Sequence, residues 1–270
     1  MEDFSALLSF TRTETEVGIR WVQPDEEGNN HKRITYFNDP TFETNDADIT
    51  TLKLDYSLSE AMQLVSITSY SDSQYAYEWD GDASAEPLSI LVDDRTDKTF
   101  SQEFRLTFNY DRLSGVVGAY YSDLDVVDTS SGQRGLPLQQ TGLDTLLLAP
   151  PEYGGLGLDP ATANMVLGLY APIDPVQLGT YSQYTQAVET QAIFTDLTFK
   201  LTPQWDIFGG LRWDKEKQAN SSNSQYTIDN AQLLPNPLDY AIAEPQLSYL
   251  LAGINAQLYQ LVENASGTAP

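Results

Sequence analysis

The chain has no cysteine and a single histidine, His31. The first absence removes disulfide scaffolds, thiolate zinc sites and cysteine nucleophiles together. The second leaves no two-histidine metal site and no conventional serine triad that avoids His31. Basic residues are also scarce, with 14 Lys and Arg against 39 Asp and Glu in 270 residues, for a formal charge of −25. Phosphate binding needs a Lys/Arg surface that releases counterions, so nucleic acid is excluded as a partner. No stretch approaches the ~20 apolar residues of a spanning helix. The start, Met1-Glu2-Asp3-Phe4, lacks the basic region and apolar core of a secretory signal. Yet 41% apolar residues and 11% aromatics make the chain too hydrophobic for acidic disorder. A β-barrel escapes these tests, because its membrane strands of ~9–11 residues alternate and read as soluble by hydropathy.

Alternation is what the sequence does contain. In residues 49–58, Leu52, Leu54, Tyr56 and Leu58 share one face while Lys53, Asp55 and Ser57 share the other. Residues 62–79 are rich in β-branched side chains and tyrosine. Residues 98–110 set Phe104, Leu106, Phe108 and Tyr110 against Glu103, Arg105, Thr107 and Asn109. Residues 113–126 place Val117, Ala119 and Tyr121 on one face. Residues 184–201 oppose Ile193, Thr195, Leu197, Phe199 and Leu201 to Asp196, Thr198 and Lys200. Residues 204–217 oppose Trp205, Ile207, Gly209, Leu211 and Trp213 to Asp206, Arg212 and Asp214. With residues 4–21 as a further candidate, this predicts seven strands, each with one greasy and one polar face.

The joins alternate as well. Ser59–Ala61, Asp111–Arg112 and Thr202–Pro203 are tight, whereas residues 22–48, 80–97, 127–182 and 218 onward are long polar excursions. In an up-and-down meander this puts every short turn at one rim and every long loop at the other, as in outer-membrane barrels. Two loops carry helix signals. Asp159-Pro160 pairs an N-cap with proline at the first helical position, predicting a helix over 161–170. Leu247, Leu250, Leu251, Ile254, Leu258 and Leu261 follow helical spacing after Pro245.

Several motifs resolve to bland readings. Asp80-Gly81-Asp82-Ala83-Ser84 begins like a calcium loop, but the sixth position is Ala85 and the twelfth Leu91, so it reads as a solvated acidic loop. Gly155-Leu156-Gly157 follows no strand and lacks the final glycine of a dinucleotide fingerprint. Asn220-Ser221-Ser222 and Asn264-Ala265-Ser266 fit a glycosylation sequon that arises often by chance. His31-Lys32-Arg33 is the one basic cluster and reads as a solvated loop, with lipid phosphate or an anionic ligand as the lesser reading. Tyr70, Tyr75, Tyr77, Trp79, Tyr120 and Tyr121 fit either a membrane girdle or cross-strand packing. No catalytic or metal-ligating residue is named, ligand-binding residues are unknown, and no cofactor is expected.

An ordered set of segments resembles the barrel of TonB-dependent outer-membrane receptors, above all the siderophore-receptor group. The segments are Leu64-Val65-Ser66-Ile67-Thr68-Ser69-Tyr70, Phe100-Ser101-Gln102-Glu103-Phe104-Arg105-Leu106, Gly115-Val116-Val117-Gly118-Ala119-Tyr120-Tyr121 and Phe208-Gly209-Gly210-Leu211-Arg212-Trp213. The resemblance covers roughly residues 46–126 and 184–217. It implies an all-β antiparallel meander forming part of a large transmembrane barrel, with short helices in long extracellular loops. It further implies an outer-membrane location, contact with the lipid bilayer, and active uptake of a scarce ligand, a ferric siderophore first. Haem, a saccharide or vitamin B12 are other possible cargoes. The TonB energy-coupling complex would act through a plug domain. Such barrels have 22 strands and a plugged lumen, so residues 1–270 are expected to be an internal barrel fragment lacking plug and closing strands. No covalent chemistry is implied, and the protein is expected not to be an enzyme. A porin-like channel, an adhesin, or a secreted acidic β-protein binding carbohydrate or calcium remain the alternatives.

Overall fold

The computed structural model describes residues 4–18, 35–265 and 267–269, so His31-Lys32-Arg33 lies outside the described residues. Among the described residues eight strands form one sheet in strict sequence order, each antiparallel to its neighbours. They are β1 (Phe4–Val17), β2 (Phe42–Ser59), β3 (Met62–Asp80), β4 (Ser89–Asn109), β5 (Leu113–Leu136), β6 (Val176–Thr202), β7 (Trp205–Ile228) and β8 (Gly267–Ala269). The first seven are those predicted. The eighth pairs only with Ser222–Ser224 of β7, and nothing in its Gly-Thr-Ala composition announces a strand.

The tight turns gather at one end, as predicted. Met62 at the start of β3 pairs with Phe108 at the end of β4, and Leu113 at the start of β5 pairs with Phe199 near the end of β6. Turn backbones bond to one another there, Asn109 N–H to the Ala61 carbonyl at 2.8 Å and Lys200 N–H to that of Arg112 at 2.9 Å.

At the opposite end the strands run much further than alternation suggested. The fourth begins at Ser89 rather than residue 98, the fifth reaches Leu136 rather than 126, and the sixth begins at Val176 rather than 184. The seventh reaches Ile228 rather than 217, and the second begins at Phe42 rather than 49. The first is described as Phe4–Val17, and residues 19–21 of the expected strand lie outside the described residues. The excursions predicted at 80–97 and 127–182 therefore shrink to 81–88 and 137–175. Pairing of backbone groups does not require one greasy face. Where both faces of a strand are wet, the ladder continues while its period-two hydropathy disappears.

Among the described residues three α-helices lie at this long-loop end: α1 (Leu143–Leu148), α2 (Pro160–Tyr170) and α3 (Pro245–Ala265). The buried apolar residues are concentrated there too. Leu143 and Leu147 of α1, Ala163, Val166 and Tyr170 of α2, and Leu251, Ile254 and Leu258 of α3 pack with Val176 and Ile228 at the ends of β6 and β7. Among the described residues the rest of the sheet buries few apolar side chains, Val126 and Ala192 being the examples.

Candidate functional site

Register sorts the side chains of the sheet into two unlike faces. Leu106 pairs with Leu64 and Val117, Ala119 with Ile193, and Ile193 with Trp213, all on one face by strand parity. Phe108, Leu197, Phe199 and Leu211 belong to the same face. Glu103, Arg105, Asp196, Lys200 and Arg212 belong to the other, as the sequence predicted. Leu211 is 78% exposed and Trp213 55%, so among the described residues nothing covers the apolar face there. Polar groups on that face satisfy one another. The Thr68 hydroxyl donates to Gln102 Oε1 at 2.6 Å, and Gln102 Nε2 donates to Ser66 Oγ at 3.0 Å.

The apolar face has a sharp upper limit. Moving away from the tight turns, Phe10, Thr50 and Tyr70 lie in one register row, and two residues further on come Arg12, Asp48, Asp72 and Lys98. On β5 to β7 the change comes one row nearer the turns, at Asp123, Glu189 and Lys217, which continue the register row of Phe10, Thr50, Tyr70 and Phe100. Ion pairs bridge neighbouring strands in these two rows: Arg12 to Asp48 at 3.6 Å, Lys98 to Asp72 at 3.7 Å and Lys217 to Glu189 at 3.6 Å. Just below these charges Phe100 and Tyr121 approach with ring centroids 6.4 Å apart. Aromatics beside a charged row are how a barrel marks the boundary between hydrocarbon and water.

On the polar face, charges are paired along strands. Arg105 bonds Glu103, Lys53 lies 3.1 Å from Asp55, and Arg212 Nε donates to both Asp214 carboxylate oxygens at 2.9 and 3.0 Å. The Arg212 guanidinium also sits 5.7 Å over the Phe194 ring, a cation–π contact. That ring lies over Gly118, where an added β-carbon would collide with it.

The helical cap is tied together by side chains distant in sequence. Asp159 caps α2 as predicted, accepting from Ala161 N at 3.0 Å, Thr162 N at 3.1 Å and the Thr162 hydroxyl at 2.6 Å. These bonds, the Thr162 hydroxyl first, hold its carboxyl below the usual range. At the other end of α2 the buried Tyr170 hydroxyl donates to Asn255 Oδ1 of α3 at 2.9 Å, and Asn255 Nδ2 donates to the Pro235 carbonyl at 3.0 Å. Burial pushes the Tyr170 hydroxyl up, keeping it a neutral donor. Asn230 joins the segment after β7 to the start of β6, accepting from Gln177 N at 2.9 Å and donating to the Pro175 carbonyl at 2.9 Å.

The remaining motifs have structural roles. Asp80 is fully buried at the end of β3 and accepts from Asn38 N at 2.9 Å and Ala83 N at 2.8 Å. It fastens a turn, and among the described residues no three acidic or histidine side chains converge on a metal position. Gly157 takes a left-handed φ of +62° in the loop before α2. Asn220 is a β7 residue that accepts from the Tyr184 hydroxyl at 3.2 Å. No local sequence signal marks the Tyr170–Asn255 or Asn230 links, which join residues 85 and 53 positions apart.

A sequential antiparallel meander with one apolar and one charged face, an aromatic and ionic rim, and loops sorted by length defines a piece of a membrane β-barrel wall. The chain matches the family described as TonB dependent receptor-like, beta-barrel, over residues 4–248, and it belongs to that family. No curated protein matches it. Among solved structures, the ferric yersiniabactin uptake receptor FyuA of Yersinia pestis aligns with a TM-score of 0.54 at 15% identity, over 84% of this chain and 29% of that one. The siderophore receptor PiuA of Acinetobacter baumannii aligns at 10% identity and a TM-score of 0.33, over 83% of this chain and 38% of the other. The ferric preacinetobactin receptor BauA of the same species gives 11% and 0.32, over 84% and 36%. The chain thus spans roughly a third of the length of these receptors, and the FyuA likeness shows a shared fold.

Proposed function

We propose that this chain is part of the wall of an outer-membrane TonB-dependent receptor that takes up a scarce ligand, a ferric siderophore. The observation that carries this reading is the rim where the apolar face gives way to charges paired across strands, at one register row in β1 to β4 and at the adjacent row in β5 to β7. It supports an orientation with the apolar face in lipid, the Glu103–Arg105–Arg212–Asp214 face toward the lumen, and the helical cap outside the cell. Uptake in this reading is binding at the cap followed by movement of a plug driven through the TonB energy-coupling complex, with no covalent step.

Deleting the gene in its host and measuring uptake of iron loaded on different siderophores tests the proposal. One ferric complex should lose energy-dependent uptake and regain it on complementation. Unchanged uptake of every ferric complex, with altered passive permeability to small solutes, would favour a channel instead. Protease added to intact cells should cut the exposed loop at residues 150–158 and spare the turns at 59–61, 111–112 and 202–203. Cleavage at those turns would reverse the orientation.

A further inference from the structure

Between the loop that precedes α2 and the start of α3 lies a cavity of about 830 Å³. Leu158, Leu247 and Leu250 form its floor and also pack against the buried core of the cap, so the floor is fixed. Leu156 and Met165 stand exposed around it, 42% and 49%, and Glu244 sits exposed at its edge. That volume and apolar lining, with few polar groups, fit a small-molecule site.

The charge around it is of one sign. No Lys or Arg occurs in residues 135–199 or 218–270. The cap segments 137–175 and 229–265 carry four carboxylates each and no cation. Fields in a cleft with low-dielectric walls are focused rather than averaged away. Glu244 is the charged residue that lines the cavity, and with no cation in the cap segments the surrounding field is negative, so an anion entering is disfavoured and a cation favoured.

We infer that the cavity between α2 and α3 binds the apolar part of a ligand whose net charge is zero or positive. Resting on the siderophore-uptake reading above, this selects among ferric complexes by charge. Three catecholates leave a ferric complex with net negative charge, three hydroxamates neutralise the ferric ion, and a free amine on a hydroxamate carrier makes the complex cationic. The receptor that carries this chain should take the cationic and neutral complexes and refuse the tris-catecholate.

The test uses the receptor in isolated outer-membrane vesicles with three radio-iron complexes: an amine-bearing ferric trihydroxamate, its N-acetylated neutral form, and a ferric tris-catecholate. Retention of the first two should exceed that of the third by about tenfold or more. Glu244→Lys should cut the preference for the amine-bearing over the acetylated complex severalfold, while Glu244→Gln gives an intermediate value. Equal retention of the tris-catecholate, or an unchanged preference in Glu244→Lys, overturns the inference. A second measurement needs no iron. An arylalkyl ammonium and the matching sulfonate compete for a neutral arylamine dye bound to the vesicles, with the Met165→Asp signal subtracted as background from lipid. The ammonium should displace the dye at lower concentration. If it does so while no ferric complex is retained, the siderophore reading fails and the cavity assignment stands. If neither competitor is preferred, the cavity assignment fails whatever the vesicles do with iron.

Discussion

Gly118, Phe194 and Arg212 form a stack on the polar face in which each member fixes the next. The missing β-carbon lets the Phe194 ring lie on the β5 backbone, and the ring supports a guanidinium already clamped by Asp214. Gly118→Val should therefore displace the ring and separate it from Arg212, at ~1–3 kcal/mol for overpacking. The fraction of folded barrel, read from heat-modifiable mobility in gels, should fall, and Gly209→Val should leave it higher, since nothing lies within 4 Å of a β-carbon there. The cap gives two further tests. Tyr170→Phe removes the donor to Asn255 and leaves a part-buried acceptor unpaired, costing ~1–3 kcal/mol. Hydrogen exchange in α3 should quicken. Asp159→Ala should speed exchange in α2 at neutral pH. Because the folded carboxyl titrates below its unfolded value of about 3.9, the stability it gives is present above that value. It is lost as pH falls through the depressed one. The gap between wild type and variant should close at acid pH, and a gap that persists there would mean the carboxylate bonds are not its source.

At the scale of elements, β4, β5, β6 and β7 run 21, 24, 27 and 24 residues, about twice what crosses a bilayer. The turn-proximal halves were legible because lipid imposes alternation there: Phe104, Leu106 and Phe108 cannot trade places with Glu103 and Arg105. The upper halves were not. In Gln218-Ala219-Asn220-Ser221-Ser222-Asn223 both faces are polar, and only a pairing partner, invisible in a local window, makes that stretch a strand. The helices divide similarly. α2 and α3 carried their own start signals, Asp159-Pro160 and Pro245, whereas α1 has Gly142 and no side-chain cap, and it forms because Leu143 and Leu147 are buried by its neighbours. Position along a strand should thus govern the cost of charge. Val117→Lys or Leu106→Lys should destabilise by ~2–4 kcal/mol if the apolar face meets lipid. The same change at Thr129 or Gln183, on the same face above the rim, should cost close to nothing. Unfolding from lipid vesicles by urea measures both, and equal costs above and below the rim would remove the membrane boundary.

For the molecule as a whole, the apolar residues have been moved from the middle of the sheet to its outer surface and its capped end. A soluble β-protein of this size would cover one face of the sheet with another layer. Here Leu8, Ile207, Leu211 and Trp205 are 68%, 58%, 78% and 71% exposed. The far side of β1 has no neighbouring strand among the described residues, and β7 is paired on its far side only at Ser222–Ser224. In lipid each unpaired backbone group costs several kcal/mol, so an open wall is not tolerated there. In water the same edges recruit other chains. The charge of −25 slows that encounter but covers neither edge nor face, and the exposed apolar area exceeds what soluble monomers show. The cap cannot rescue the sheet, because its core closes on Val176 and Ile228 at the very ends of β6 and β7. Residues 1–270 expressed without detergent should therefore aggregate, and detergent should disperse them without giving a cooperative unfolding transition. A monodisperse monomer in buffer by light scattering, melting in one step, would mean that the apolar face has a covering within this chain and that the sheet is not a barrel wall.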